Sequence, residues 1–184
     1  LLGKKVVLLG LDIRKPRLAE HFGFSHKLEG ITKYLSGGTN DIFSLLTASG
    51  VTENLKVLPA GMVPPNPAEL LASPRLEKAI ETLKEKFDYV LLDTAPVAFV
   101  TDTLIAGRVA DLSVYVCRSE VTHKSDFELV NEIRKERKLP HMALVVNAVN
   151  LESKRYGYGY GYGKYGKYGR YGKKYGYGYG ETKK

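Results

Sequence analysis

The sequence predicts an α/β protein: a parallel sheet flanked by helices, followed by a disordered carboxyl-terminal tail. Four aliphatic runs have the length of buried strands, and helical repeats fall between them. The last thirty residues, from Arg155 onward, hold ten of the thirteen tyrosines, nearly all followed by glycine. Alternating strands and helices imply right-handed crossovers and ligand chemistry at the carboxyl ends of the strands.

The strand runs are Lys5–Leu11, Tyr89–Asp93, Leu112–Cys117 and Ala143–Val149, with a shorter one at Leu55–Pro59. Continuous aliphatic character predicts that they are covered on both faces. Ser73-Pro74 supplies an N-cap and a first-turn proline ahead of Leu76, Ala79, Ile80 and Leu83, which recur at helical spacing. Ser125 with Glu128 reads as a capping box before Leu129 and Ile133. Shorter helices are expected over Ile31–Leu35, Asp41–Leu46, Ala68–Ala72 and Asp102–Val109.

Charge separates the chain into two parts. The formal net charge is +8, and from Glu152 onward nine Lys or Arg face two Glu. Residues 1–151 are therefore nearly neutral and suit one globular domain. Residues 152–184 have a glycine at almost every second position and no aliphatic side chain to offset the entropy of ordering them. A flexible array of phenols is expected there. The single cysteine, Cys117, excludes a disulfide framework and points to a reducing compartment. His21, His26, His123 and His141 are scattered and do not suggest zinc. No apolar run approaches the roughly 20 residues of a membrane-spanning helix.

Two strand ends carry chemistry. The first run leads into Asp12-Ile13-Arg14, and the second into Asp93-Thr94-Ala95-Pro96. An aspartate ending a buried strand is what a Walker B element uses to hold Mg²⁺, a hard cation bound by a few carboxylates plus phosphate oxygens. Taken alone, Leu-Leu-Asp fits equally an aspartate that caps the following segment.

The two motifs together resemble those of the bacterial tyrosine kinases, relatives of the Walker-type partition ATPases and unrelated to eukaryotic protein kinases. The family's Asp-x-Asp-x-Arg is matched by Gly10-Leu11-Asp12-Ile13-Arg14, and its Asp-x-x-Pro by Asp93-Thr94-Ala95-Pro96. Further similarity lies in Gly30-Ile31-Thr32-Lys33-Tyr34-Leu35-Ser36-Gly37, in the segment from Gly61 to Leu71, and in the tyrosine cluster. The resemblance implies a P-loop-NTPase-like fold and transfer of phosphate from ATP·Mg²⁺ to tyrosine. It implies Asp93 in the Mg²⁺ shell, Asp12 at Mg²⁺ or at the incoming phenol, Arg14 holding the loop or neutralising phosphate, and Asn147 and Arg118 beside the nucleotide. The implied acceptors are Tyr156, Tyr158, Tyr160, Tyr162, Tyr165, Tyr168, Tyr171, Tyr175, Tyr177 and Tyr179.

Two departures qualify it. Gly10 replaces the first acid, and no Gly-x-x-x-x-Gly-Lys-Ser/Thr loop is present. The family places that loop just upstream of the second acidic motif, so residues 1–151 are expected to be an amino-terminally truncated kinase domain. Implied partners are other copies in a ring, an upstream transmembrane polysaccharide-chain-length domain, and a tyrosine phosphatase, at the cytoplasmic face of the bacterial inner membrane. No specific nucleic acid is expected. Three other readings stay open at this stage: a partition-type ATPase without kinase activity, a single-strand nucleic-acid binder using the Lys/Arg and Tyr of the tail, and a sticky low-complexity segment.

Overall fold

The structure, a computed structural model, describes residues 3–25 and 27–150. His26 and all ten expected acceptor tyrosines lie outside the described residues. The chain divides into two units, Leu1–Val149 and Asn150–Lys184, and the first contains every element below.

The elements run β1 (Val6–Gly10), α1 (Leu18–His21), α2 (Ile31–Leu35), a 3-10 turn (Phe43–Leu45), β2 (Thr47–Ala48), β3 (Leu55–Leu58), α3 (Pro67–Ala72), α4 (Pro74–Lys84), β4 (Tyr89–Asp93), α5 (Asp102–Gly107), β5 (Val114–Arg118), α6 (Asp126–Lys135) and β6 (Ala143–Asn147). Strands alternate with helices as the sequence predicts. Two elements carried no sequence signal. One is β2, only two residues long, and the other is the four-residue α1. The helix expected over Asp41–Leu46 is reduced to one 3-10 turn, because the Asp41 carboxylate accepts the N–H groups of Phe43 and Ser44 and so closes a local turn.

β1 is central, pairing in parallel with β3 on one side and β4 on the other, while β2 adds antiparallel to β3. Val7 and Leu9 point from β1 into the main core, where they meet Leu58 and the buried faces of α2 and α4, including Tyr34, Leu76, Ile80 and Leu83. The helical spacing read from Leu76, Ala79, Ile80 and Leu83 therefore marks the buried face of α4. Arg75 ties the α2 segment to this helix by donating to the carbonyls of Tyr34 and Thr39 at 2.6 and 2.7 Å.

Two expectations fail. Neither Ser73 nor Ser125 caps through its side chain. The Ser73 hydroxyl instead donates to the Leu70 carbonyl at the end of α3, which runs directly into α4, and Ser125 already has helical dihedrals. At α6 the Asp126 carboxylate reaches back to the His123 N–H.

The second concerns the strands. β5 and β6 pair only with each other, so the sheet is in two pieces, and β4 and β5 each keep an edge without a ladder partner. Coverage is correspondingly one-sided. On β4, Val90 and Leu92 pack on the core while Leu91 is 51% exposed. On β5, Cys117 is buried and Val116 is 59% exposed, and every residue of β6 is exposed. The aliphatic runs predicted two covered faces; β3, where consecutive Val57 and Leu58 are both fully buried, meets that expectation, and β4, β5 and β6 do not.

Candidate functional site

The carboxyl ends of β1 and β4 form the site. In-register pairing sets Gly10 opposite Asp93. Past the strand end, the N–H groups of Leu11 and Asp12 both donate to the Asp93 carbonyl, at 2.7 and 3.1 Å. The two predicted acidic residues are thus fixed to one another through main chain. The Asp12 carboxylate accepts the Lys15 N–H at 3.0 Å, which folds the exit loop back on itself.

Electrostatics follow from this proximity. Burial pushes the Asp93 carboxyl above its ordinary range, the negative charge of Asp12 pushes it further, and His21 opposes both. A carboxylate whose proton affinity is raised by a neighbouring carboxylate suits a cation. Among the described residues no group of three or more His, Cys, Asp or Glu gathers to hold a metal. Two strand-end aspartates fit Mg²⁺ better than Zn²⁺, since Mg²⁺ keeps waters and takes its remaining ligands from phosphate.

Arg14, the third predicted residue, turns to a partner that sequence reasoning missed. Its Nε and Nη2 donate to the two carboxylate oxygens of Asp102, at 2.6 and 3.0 Å. Asp102 is the first residue of α5 and its side chain is only 4% exposed, against 44% for Arg14. This bond and the charge of Asp102 raise the Arg14 pKa. In the sequence Asp102 reads only as the start of a helix, and a separation of 88 positions conceals the pairing.

Arg118 and Asn147 are brought together as in-register partners at the ends of β5 and β6. The Asn147 carbonyl accepts the Ser119 N–H, and its side-chain oxygen accepts the Ala148 N–H. This pair belongs to the other sheet piece, with no ladder joining it to Asp12 and Asp93.

The two loop segments singled out by sequence also meet. A Cβ on Gly30 would lie 2.1 Å from the Pro59 carbonyl oxygen, and one on Gly61, which has φ +85°, would lie 2.6 Å from the Gly30 nitrogen. Only glycine fits either position. The contact lets the Ile31 and Thr32 N–H groups at the start of α2 donate to the Pro59 and Ala60 carbonyls just past β3.

No family model matches the chain. It is 34% identical over 163 residues to the tyrosine-protein kinase CpsD of Streptococcus pneumoniae, a match covering 89% of this chain and 71% of that protein. Among solved structures, the kinase domain of the Escherichia coli tyrosine kinase ETK superposes with a TM-score of 0.73 at 27% identity, covering 86% of this chain and 61% of that one. The septum site-determining protein MinD of Pyrococcus horikoshii, solved with Mg-ADP, gives a TM-score of 0.63 at 23% identity and shows the shared fold.

The fold is that of the P-loop-NTPase-like α/β domains, with one acidic residue ending β4 and another just past the end of the adjacent parallel β1. Within that class, the chain belongs to the bacterial tyrosine-protein kinase family. Its likeness to the ETK kinase domain exceeds its likeness to this cell-division ATPase in both sequence and superposition. The partition-type reading is correspondingly the weaker one.

Proposed function

We propose that this chain is the carboxyl-terminal part of a protein-tyrosine autokinase that moves the γ-phosphoryl group of ATP to tyrosines in residues 152–184. The single observation that carries the reading is the juxtaposition of Asp12 and Asp93, joined through main chain at neighbouring strand ends. In the reaction the tyrosine Oη forms a bond to the γ-phosphorus. The bond from that phosphorus to the bridging oxygen breaks, ADP departs, and the phenol proton leaves to a base or to water. Mg²⁺, when bound, neutralises the phosphate oxygens.

Asp93 and Asp12 are the residues to hold that cation. Asp12, in the loop just past β1, is alternatively placed to orient the phenol and take its proton, a useful service for a group whose ordinary pKa is near ~10. Arg14 acts mainly by holding the loop, since Asp102 engages two of its nitrogens. Arg118 and Asn147 are assigned to the nucleotide's base side.

The assignment of residues 1–151 as an amino-terminally truncated kinase domain is part of the proposal. Its support is the pair of open edges on β4 and β5, with Leu91 and Val116 exposed beside them. One further parallel strand between them would join the two sheet pieces and cover that surface, and the phosphate-binding loop would follow it. The partners proposed are further copies of the chain in a ring, a membrane-spanning polysaccharide-chain-length domain, and a tyrosine phosphatase that resets the tail. The place of action is the cytoplasmic face of the inner membrane, in control of capsular or extracellular polysaccharide. No described helix is long and apolar enough to cross a membrane.

From the tail's net charge of +7, about four phosphates would bring it to neutrality or beyond, at roughly −1.5 to −2 each. The test is to incubate the protein, extended upstream through its phosphate-binding loop, with ATP and Mg²⁺ and to search it for phosphotyrosine. Phosphotyrosine in residues 152–184 supports the autokinase. ATP hydrolysis with unmodified tyrosines moves the chain to the partition-type ATPases.

A further inference from the structure

We propose that Asp102 is a positioning residue for phosphoryl transfer, clamping through Arg14 the two loops that carry Asp12 and Asp93. The inference rests on the kinase reading above.

The geometry closes a circuit. Arg14 lies two residues beyond Asp12, in the loop leaving β1, and its guanidinium meets both oxygens of Asp102 at 2.6 and 3.0 Å. Asp102 opens α5, at the end of the segment that begins with Asp93. The next residue, Thr103, donates its hydroxyl to the Ala95 carbonyl, which pins the start of that segment to the same helical turn. The third link is the main-chain bond from Asp12 to Asp93. Each loop is therefore held at its strand end and again at the first turn of α5.

A purely stabilising role accounts poorly for this arrangement. Burying a carboxylate carries a desolvation penalty before its partner compensates, and apolar replacements of buried pairs are often as stable or more so. A bidentate arginine–carboxylate pair instead fixes distance and angle at once. The arginine is the more exposed member, so the clamp joins a solvent-facing loop to a nearly buried anchor. Displacement of a reacting group by about 1 Å costs on the order of 100-fold in rate, and that sensitivity is what such an anchor addresses.

The test uses the intact protein with its phosphate-binding loop, as wild type, Asp102→Asn, Asp102→Glu, Arg14→Gln and the Asn/Gln double variant, all assayed well below their melting temperatures. Two quantities are read: the tyrosine phosphorylation rate across ATP concentrations, and Mn²⁺ affinity from water proton relaxation, which requires no phosphoryl transfer. The clamp predicts that Asp102→Asn and Arg14→Gln each lower kcat or Mn²⁺ affinity by about 10- to 100-fold, with KM for ATP changed by less than about threefold. The double variant is no worse than the worse single one, and Asp102→Glu recovers part of the loss.

Rates and Mn²⁺ affinities within twofold of wild type overturn it. So do losses that add in the double variant. If Asp102→Asn does not fold, Arg14→Gln decides the matter alone, because its half-exposed side chain can be replaced without opening the core. A wild type that binds Mn²⁺ but forms no phosphotyrosine overturns the kinase reading instead, and the Mn²⁺ comparison then decides the clamp.

Discussion

The main-chain N–H of Asp12 donates to the carbonyl oxygen of Asp93 at 3.1 Å, so two acidic residues 81 positions apart in sequence share one hydrogen bond where their strands leave the sheet. Parallel pairing of β1 with β4 produces this contact without any special loop chemistry. The like charges that it brings together are unfavourable until a cation or a proton arrives, and this determines how the site responds to mutation and pH.

Asp93→Asn is expected to abolish tyrosine phosphorylation, by roughly 100-fold or more, while stabilising the metal-free chain at neutral pH. Burial first and Asp12 second raise the Asp93 pKa in the folded state. The folded protein then holds this proton more tightly than the unfolded one. The stability gained is fully present below the unfolded carboxyl pKa near ~3.9 and is lost as pH rises through the raised folded value. The variant cannot ionise and lacks this slope. Urea midpoints at about pH 4 and about pH 7 check it, and the variant's advantage grows between the two.

Gly30→Ala should be among the most damaging single substitutions in the domain. Its Cβ meets main-chain atoms of Pro59, Ala60 and Gly61 within 2.1–2.5 Å, and none of these is a flexible side-chain tip. A loss of about 3 kcal/mol, or failure to fold, is expected from circular dichroism melts.

Gly10→Asp, which restores the acid that the family pattern has at this position, should destabilise the chain. A Cβ there sits 3.1 Å from the Ala60 nitrogen and 3.2 Å from Leu18 Cδ2, so a carboxylate would have to displace the chain past β3 or the Leu18 side chain. The expected cost is about 1–3 kcal/mol, read from urea unfolding. The departure from the family pattern is accommodated by this close packing.

These residues also mark where the sequence was legible. Helical spacing on α4 and the aliphatic runs of β1 and β4 identified their elements because a 3.6 or continuous period survives any tertiary arrangement. Asp12 and Asp93 were found because each ends such a run. Asp102 was not, since a helix-opening aspartate is ordinary and its partner Arg14 is distant in sequence. The close approach of Gly30 to Gly61 was equally hidden, although both glycines stood in segments that the sequence singled out. Coverage of β4 and β5 was misread because an aliphatic run reports what a strand can bury, and the described residues leave one side of each open.

Leu91→Lys together with Val116→Lys should reduce self-association of residues 1–184 at little cost to folding, since both side chains are more than half exposed. Sedimentation velocity across concentration reads the change. In a longer form that supplies the intervening strand, the same pair should instead destabilise by about 2 kcal/mol or more per site.

The most direct test of the account is the number of phosphates on residues 152–184, counted by mass spectrometry after incubating the loop-complete protein with ATP and Mg²⁺, as wild type and as Asp93→Asn. Several phosphotyrosines are expected on the wild-type tail and none on the variant. A wild-type tail left unmodified while ATP is consumed, or an Asp93→Asn tail phosphorylated as fully as wild type, would contradict it.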